Sequence, residues 1–354
     1  MRPPLFLPLL FLGSCALADP RPPSGAENIP ALMTGSTLVC KGEVVQAPAP
    51  TVVNSFTELP RMTAVAEVRP DRCFKGTSPV GLVPVLFDGL RPAGGAGGGR
   101  LFVSQKGDYR LFFLKPHNGE YVVSNEWFGA LPISRELGAM PEGADSMYLL
   151  ELDLKAGLAD SDPERILDSI RMLGNMKKLR SVAELRRLLD SPDLLVKAHV
   201  WQAFLRLKEY SVLPALAEFF EKQPDPPEHL FLPRDRLFAI QFELQSEIMG
   251  IRDPSTLRFL ENFAVHGHNY HLRDSALQAL RAIGSRHSAP AFLSELDDQN
   301  PDNAFSAMQG LLSLAGGGAI AWVPTWEQFD QAPQFYAAKC REWWSDQLKQ
   351  ESRY

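Results

Sequence analysis

The chain has 354 residues, of which 45% are hydrophobic and 22% charged, and its formal net charge at pH 7 is −6. This composition is ordinary for a globular protein, and the length allows more than one domain. The acidic balance, with no Lys/Arg-rich run anywhere in the sequence, argues against a nucleic-acid-binding surface.

Residues 1–18 have the pattern of a secretory signal peptide. Arg2 precedes a short apolar run at residues 5–12, and the sequence Ala-Leu-Ala at 16–18 places small residues just before Asp19. The apolar run is too short to span a bilayer. The sequence therefore predicts an exported protein, periplasmic or secreted, without a membrane span.

The four cysteines fit export and leave one alternative open. The sequence Leu-Gly-Ser-Cys ending at Cys15 loosely resembles a bacterial lipoprotein box, which would make Cys15 a lipid anchor. Cys40 and Cys73 lie in one β-rich region, and an oxidising compartment favours a disulfide between them. Cys340 is left over and is expected to be buried and unreactive.

Residues 19–35 are rich in Pro and Gly without periodicity and are predicted to form a flexible tether. Short strand-like segments separated by turns then occupy residues 36–135. Residues 62–68 alternate in polarity, as a half-buried strand does, and His117-Asn118-Gly119 marks a hairpin turn. The Gly-rich tract at 91–99 is predicted to be a flexible loop. The pattern predicts a small antiparallel barrel or sandwich, with strands at 38–45, 62–68, 80–87, 101–104, 109–114 and 121–124.

Three of these segments resemble the netrin-like or TIMP-like domain, an OB-type barrel. They are LVCKGEVV at 38–45, AVAEVRPDRCFKG at 64–76 and GDYRLFFLKPHNGEYVV at 107–123. The family's Gly-x-x-Tyr-x-x-Phe motif is shortened here to Gly107, Tyr109 and Phe112. Inhibitors of this family bind a target's zinc through a free N-terminal Cys amine. Since the predicted mature N-terminus is Asp19, that activity is not carried over.

Residues 136–160 are predicted to connect this barrel to a second domain, with residues 147–154 forming either a further strand or a helix. From Pro163 the apolar period becomes helical. Leu173 and Leu207 are 34 residues apart, as are Gly250 and Gly284, and each glycine follows a predicted first helix. A period in the thirties made of helix pairs is typical of an α-solenoid.

The solenoid segments resemble HEAT repeats, most closely at residues 188–207 and 274–302. The shared elements are a second helix that ends Leu-Asp and a turn, Ser-Pro-Asp or Asn-Pro-Asp, that starts the next helix. Asp193 and Asp302 are predicted to cap those helices. The resemblance covers residues 161–316 and implies a protein-binding surface without catalysis. A Pro-rich insertion at 223–233 interrupts the repeat.

Residues 317–354 concentrate aromatic side chains and are predicted to cap the last repeat, whose apolar face would otherwise be open. A surface site for an aromatic ligand is the alternative. The aromatic residues are Trp322, Trp326, Phe329, Phe335, Tyr336, Trp343 and Trp344.

Candidate chemistry is sparse in this sequence. The triplet His266, His268 and His271 is a candidate metal site, although its spacing suits no single helix face. The sequence contains no HExxH, GxSxG or CxxC motif. We therefore predict no catalytic residue, no cofactor and no metal.

The predicted fold class is a multidomain β plus α protein, in which an antiparallel OB-type or netrin-like barrel precedes a HEAT-like α-solenoid. The favoured function is an exported, non-enzymatic scaffold that binds a protein partner. The alternatives are an envelope-associated inhibitor or regulator of a hydrolase acting through the barrel, and a metal-dependent enzyme.

Overall fold

The computed structural model describes residues 28–47, 51–53, 61–90, 105–125, 128–222, 236–315 and 322–351. The predicted signal peptide with Cys15, the Gly-rich tract at 91–99, the strand at 101–104 and the Pro-rich insertion at 223–233 lie outside these residues. The chain divides into two compact units, Met1–Gly157 and Leu158–Tyr354.

The first unit is built on a closed five-stranded barrel. Its described strands are β1 (Leu38–Gln46), β2 (Thr51–Val53), β3 (Arg61–Lys75), β4 (Val83–Leu90), β5 (Tyr109–His117), β6 (Glu120–Val123) and β7 (Ala130–Pro132). Hydrogen-bonded neighbours run β1-β3-β4-β6-β5 and return to β1, while β2 extends β3 and β7 lies on β5.

The barrel is mixed, whereas the sequence predicted an antiparallel one. The pair β4–β6 is parallel, and the other pairs of the ring are antiparallel. A closed ring with an odd number of strands cannot alternate in direction all the way round. One parallel pair is therefore unavoidable once five strands close the barrel.

The hairpin between β5 and β6 confirms the predicted turn. Asn118 and Gly119 both have positive φ, 48° and 85°. This combination defines a type I′ turn, whose twist matches that of the flanking strands. It brings His117 opposite Glu120 and sets the register of the pair.

The barrel interior follows the alternation predicted for β3. Ala64, Ala66 and Val68 are buried in the core cluster, whereas Val65 between them is 41% exposed. β1 differs because both of its faces are buried. Val39 and Lys41 are fully buried although their neighbours Leu38 and Cys40 occupy the interior.

Two short helices accompany the barrel, and one corrects the sequence analysis. Helix α1 (Ile29–Gly35) lies where the end of the flexible tether was predicted. Asn28 caps it, and its buried apolar side chains, including Ile29 and Leu32, hold it in place despite the Pro-rich composition around it. Helix α2 (Ser146–Ala156), capped by Asp145, resolves residues 147–154 as helix rather than strand.

The second unit contains helices joined by turns, without a strand among its described residues. Its helices are α3 (Pro163–Gly174), α4 (Ala183–Arg187), α5 (Leu194–Arg206), α6 (Leu213–Lys222), α7 (Arg236–Met249), α8 (Leu257–His266), α9 (Tyr270–Ile283), α10 (Ala289–Glu295), α11 (Pro301–Ser313), α12 (Trp326–Gln331) and α13 (Pro333–Glu351). None of these described helices combines the length and hydrophobicity needed to cross a membrane.

The helices form two layers. In the first layer α3 packs on α5, and the series continues through α7, α9 and α11 to α13. In the second layer α6 packs on α8 and α8 on α10, while α8 and α10 also pack on α9 and α11. The two layers alternate along the chain, and α8 and α10 each pack on the first-layer helix that follows them, α9 and α11.

Local signals fix the helix ends. Asp193 caps α5 as predicted, accepting from the Leu195 and Val196 amides. At α11 the predicted cap is wrong, because Asn300 accepts from the Asp302 amide. The proline explains the shift: Pro301 is the first residue of α11, where the missing N–H costs nothing, so the residue before it becomes the cap.

The aromatic tail packs onto the end of the second unit. Helix α13 lies against α11, and α12 contacts both of them. Phe329 and Cys340 are fully buried, and Trp344 is nearly so. Phe305 of α11 meets the Phe329 ring at a centroid distance of 5.3 Å. The tail thus covers apolar surface of α11.

Candidate functional site

The predicted disulfide is present. Cys40 of β1 and Cys73 of β3 lie opposite each other in adjacent strands and are bonded. Cys340 is buried, as expected for the remaining cysteine, and burial raises the pKa of its thiol to about 12. Only a thiolate is a nucleophile. At neutral pH neither the Cys40–Cys73 disulfide nor the protonated Cys340 thiol supplies one.

The three candidate metal ligands lie at the junction of α8 and α9. His266 ends α8, and His268 follows it, with Nε2 3.5 Å from a carboxylate oxygen of Glu221. His271 belongs to α9, and its ring lies 3.8 Å from the Tyr270 ring centroid. Within the residues described, no group of three or more His, Cys, Asp or Glu side chains is arranged to hold a metal ion.

A buried ionic cluster lies beside the barrel in the first unit. Lys41 Nζ is 2.7 Å from Asp153 Oδ2, and both side chains are completely buried. Asp153 also accepts from Arg72 and from the Gly138 amide, at 2.8 Å for the latter. Lys41 donates to the Glu136 carbonyl oxygen at 2.6 Å. The cluster therefore joins β1, β3, α2 and the segment around residue 136.

The electrostatics of this cluster indicate a structural role. Burial lowers the pKa of Lys41, and the hydrogen bond and charge of Asp153 oppose that change. Tyr109 donates to Asp71 at 2.7 Å, and burial followed by this bond raises the pKa of the phenol. Each charge is matched by a partner, and the cluster holds α2 against β3.

A polar cavity of about 220 Å³ lies between α9 and α11. Ser306 Oγ donates to Asp274 at 2.6 Å, and the Gln278 amide donates to the same carboxylate at 2.7 Å. His271 also lines this cavity. The Ser306–Asp274 hydrogen bond links α11 to α9.

A larger groove, of about 350 Å³, opens between α4 and α6. Helix α4 and the 3-10 turn Leu188–Asp190 that continues it do not pack closely on α6. Helix α5 of the first layer forms the floor. The apolar lining consists of Leu189, Leu194, Trp201, Val212, Ala215 and Phe219, and the Trp201 and Phe219 ring centroids are 5.1 Å apart.

The rim of this groove is basic. Each of the three helices contributes one cation: Arg186 from α4, Lys197 from α5 and Lys222 from α6. Lys222 is 2.6 Å from Glu218, and their hydrogen bond holds the pKa of Glu218 below its ordinary value. Lys197 pairs with no carboxylate among the residues that the structure describes.

Sequence analysis missed both the ionic cluster and the groove. Lys41 follows the apolar residues Leu38, Val39 and Cys40 in a predicted strand, and a charge buried in such a strand needs a partner. The three cations of the groove are dispersed over residues 186–222. The fold brings them to one groove, which no local pattern predicts.

A search against protein-family models and curated protein sequences finds no match to this chain.

Proposed function

We propose that the chain is an exported, non-enzymatic scaffold that binds a protein partner through its helical unit. The observation that carries this proposal is the groove between α4 and α6, where apolar side chains lie beside three cations. Leu189 and Leu194 are half-buried there and Ala215 is exposed, whereas the larger Trp201 and Phe219 are buried. Exposed apolar surface rimmed by polar groups is typical of a protein-binding site. The cavity between α9 and α11 is smaller and lined mainly by polar groups.

We further propose that the helical unit is a HEAT-like solenoid. The two-layer packing supports this, as does the spacing of the helix caps. Asp162 and Asp193 are 31 residues apart, and so are Asn269 and Asn300. Gly284 ends α9 with a φ of 69°, a left-handed C-cap of the kind that glycine favours.

For the first unit we propose an OB-type, netrin-like barrel, supported by the five-stranded ring in which β6 lies between β4 and β5. Export is supported by the disulfide, because such bonds persist in oxidising compartments. The mass of the mature N-terminus tests the location. It distinguishes Asp19, expected for a periplasmic or secreted protein, from a lipidated Cys15.

The partner-binding role is tested by site-specific photo-crosslinking of the full chain in the producing cells. One version carries the crosslinking amino acid at exposed position 215 of α6, and another carries it at exposed position 115 of β5. A single protein crosslinked in high yield from position 215 supports the proposal. Crosslinks from position 115 alone favour a regulator acting through the barrel, and no protein adduct from either contradicts both.

A further inference from the structure

We infer that the groove between α4 and α6 binds an amphipathic α-helix of the partner. This helix would carry acidic residues beside its apolar face. This inference rests on the proposed function, because it names the chemistry that the helical unit binds. Three features of the groove support it: the missing packing in the second layer, the apolar floor and the cations on its walls.

The first feature is the break in the helix packing. Second-layer helices α6, α8 and α10 pack on one another in sequence, but α4 and α6 do not pack closely, and the groove lies between them. A partner helix placed there would extend the series across the floor formed by α5. It would do so with the side-by-side packing that the neighbouring helices already use.

The second feature is the length and chemistry of the floor. The α5 residues that line the groove run from Leu194 to Trp201, about 10 Å at 1.5 Å per residue, and the α6 residues run from Ala215 to Lys222. This length matches two turns of helix. An incoming helix would present apolar anchors at positions i, i+3 or i+4, and i+7, which is the pattern of helix-in-groove recognition.

The third feature is charge. The chain as a whole is acidic, with a net charge of −6, yet the groove carries three cations against one anion, Glu218. Lys222 is already paired with Glu218, and Arg186 Nη2 lies 3.9 Å from Glu209 Oε2. Lys197 is half-buried, and no carboxylate among the described residues pairs with it. Acidic residues on the partner helix would supply its missing counter-charge.

The test uses the full chain and three synthetic helical peptides. The first has leucines at i, i+3, i+4 and i+7 flanked by glutamates, the second has lysines in place of the glutamates, and the third has serines in place of the leucines. Fluorescence polarisation measures their affinities for the wild type, for Lys197→Glu and for Arg258→Glu. Arg258 is exposed on α8, does not line the groove, and gives the same change in net charge.

We expect the wild type to bind the acidic leucine peptide at least about tenfold more tightly than the other two peptides. Lys197→Glu should weaken that binding by about tenfold and improve binding of the lysine peptide, while Arg258→Glu changes neither by more than about twofold. Circular dichroism checks that both variants remain folded.

Several results would overturn the inference: no binding of the acidic leucine peptide at millimolar concentration, equal binding of acidic and basic peptides, or equal effects of the two variants. Binding of an amphiphilic carboxylate such as laurate in the groove without any peptide binding would assign the site to a small molecule instead. If a partner still crosslinks from position 215 in any of these cases, the proposed function stands and only this inference fails.

Discussion

Lys41 and Asp153 form an ion pair at 2.7 Å in which neither side chain is exposed to solvent. Two such charges are costly to remove from water, and their attraction offsets the cost only when both are present and hydrogen-bonded. Asp153 meets this condition by accepting from Arg72 and from the Gly138 amide as well. The fold of the first unit around α2 therefore depends on this carboxylate.

Asp153→Asn leaves the buried Lys41 ammonium without its counter-charge. We expect it to lower the free energy of unfolding of the first unit by about 3–5 kcal/mol. Urea titration combined with peptide-resolved hydrogen exchange measures the loss and assigns it to the strands around residues 38–75. Glu43→Gln is the control, because Glu43 pairs with the exposed Arg69 and should cost less than about 1 kcal/mol. Similar losses in the two variants would contradict the structural role of the cluster.

Glu295 makes the stability of the helical unit depend on pH. Burial, followed by the hydrogen bond to Asp298 and its charge, raises the pKa of Glu295 from 4.5 to about 7, while Arg273 opposes the change. The folded state therefore binds more protons than the unfolded state between these two values. This contribution to stability is present below pH 4.5 and is lost as the pH rises through 7.

Glu295→Gln replaces the carboxyl with a neutral group of the same shape. In the wild type we expect the unfolding free energy to fall by about 1–3 kcal/mol between pH 5 and pH 8 because of Glu295. Glu295→Gln should not show this fall. Chemical denaturation at the two pH values measures this difference against the wild type. Glu327→Gln, at an exposed position of α12, should keep the wild-type slope. An unchanged slope in Glu295→Gln would show that Glu295 ionises normally.

Gly310 of α11 permits close packing against Phe292 of α10. A Cβ at position 310 would overlap the Phe292 ring, which is fully buried. Gly310→Ala is expected to lower the unfolding free energy by about 1–3 kcal/mol in a thermal or urea melt, although alanine favours helix. Gly35→Ala in α1, where nothing lies within 4 Å, should be neutral or slightly stabilising. A neutral Gly310→Ala would contradict this packing.

The cysteines are expected to differ sharply in reactivity. Cys340 should resist iodoacetamide at pH 8 in the native protein, because it is buried and its thiol has a pKa of about 12. Labelling in denaturant is the positive control, and peptide mapping locates the label. Cys40 and Cys73 should be recovered as one linked peptide pair from protein made in an oxidising compartment. Free thiols at both positions there would refute the bond as a native feature.

Much of the fold could be predicted from sequence because its signals are local. The alternation at Ala64 and Ala66 identifies β3, and the Asn118-Gly119 turn identifies the hairpin. Helix α1 was missed because its short, Pro-containing sequence favours coil, and only burial of side chains such as Ile29 against the rest of the unit makes it helical.

The sites could not be predicted for the same physical reason. Lys41 and Asp153 are far apart in the sequence, and no local pattern around either residue indicates that the two are in contact. The groove lies where α4 and α6 do not pack closely, and this is a property of how the helices are placed. Features made by the relative placement of elements leave no periodic pattern in the chain.

The central claim is that a protein partner binds at the groove of the helical unit. Its most direct test is the affinity of the partner captured from position 215, measured by titration against the full-length wild type, Ala215→Trp and Ala282→Trp. Ala215 lines the groove and Ala282 is an exposed residue of α9 that does not. We predict at least about tenfold weaker binding for Ala215→Trp and no change for Ala282→Trp. Unchanged affinity in a folded Ala215→Trp chain would contradict the claim.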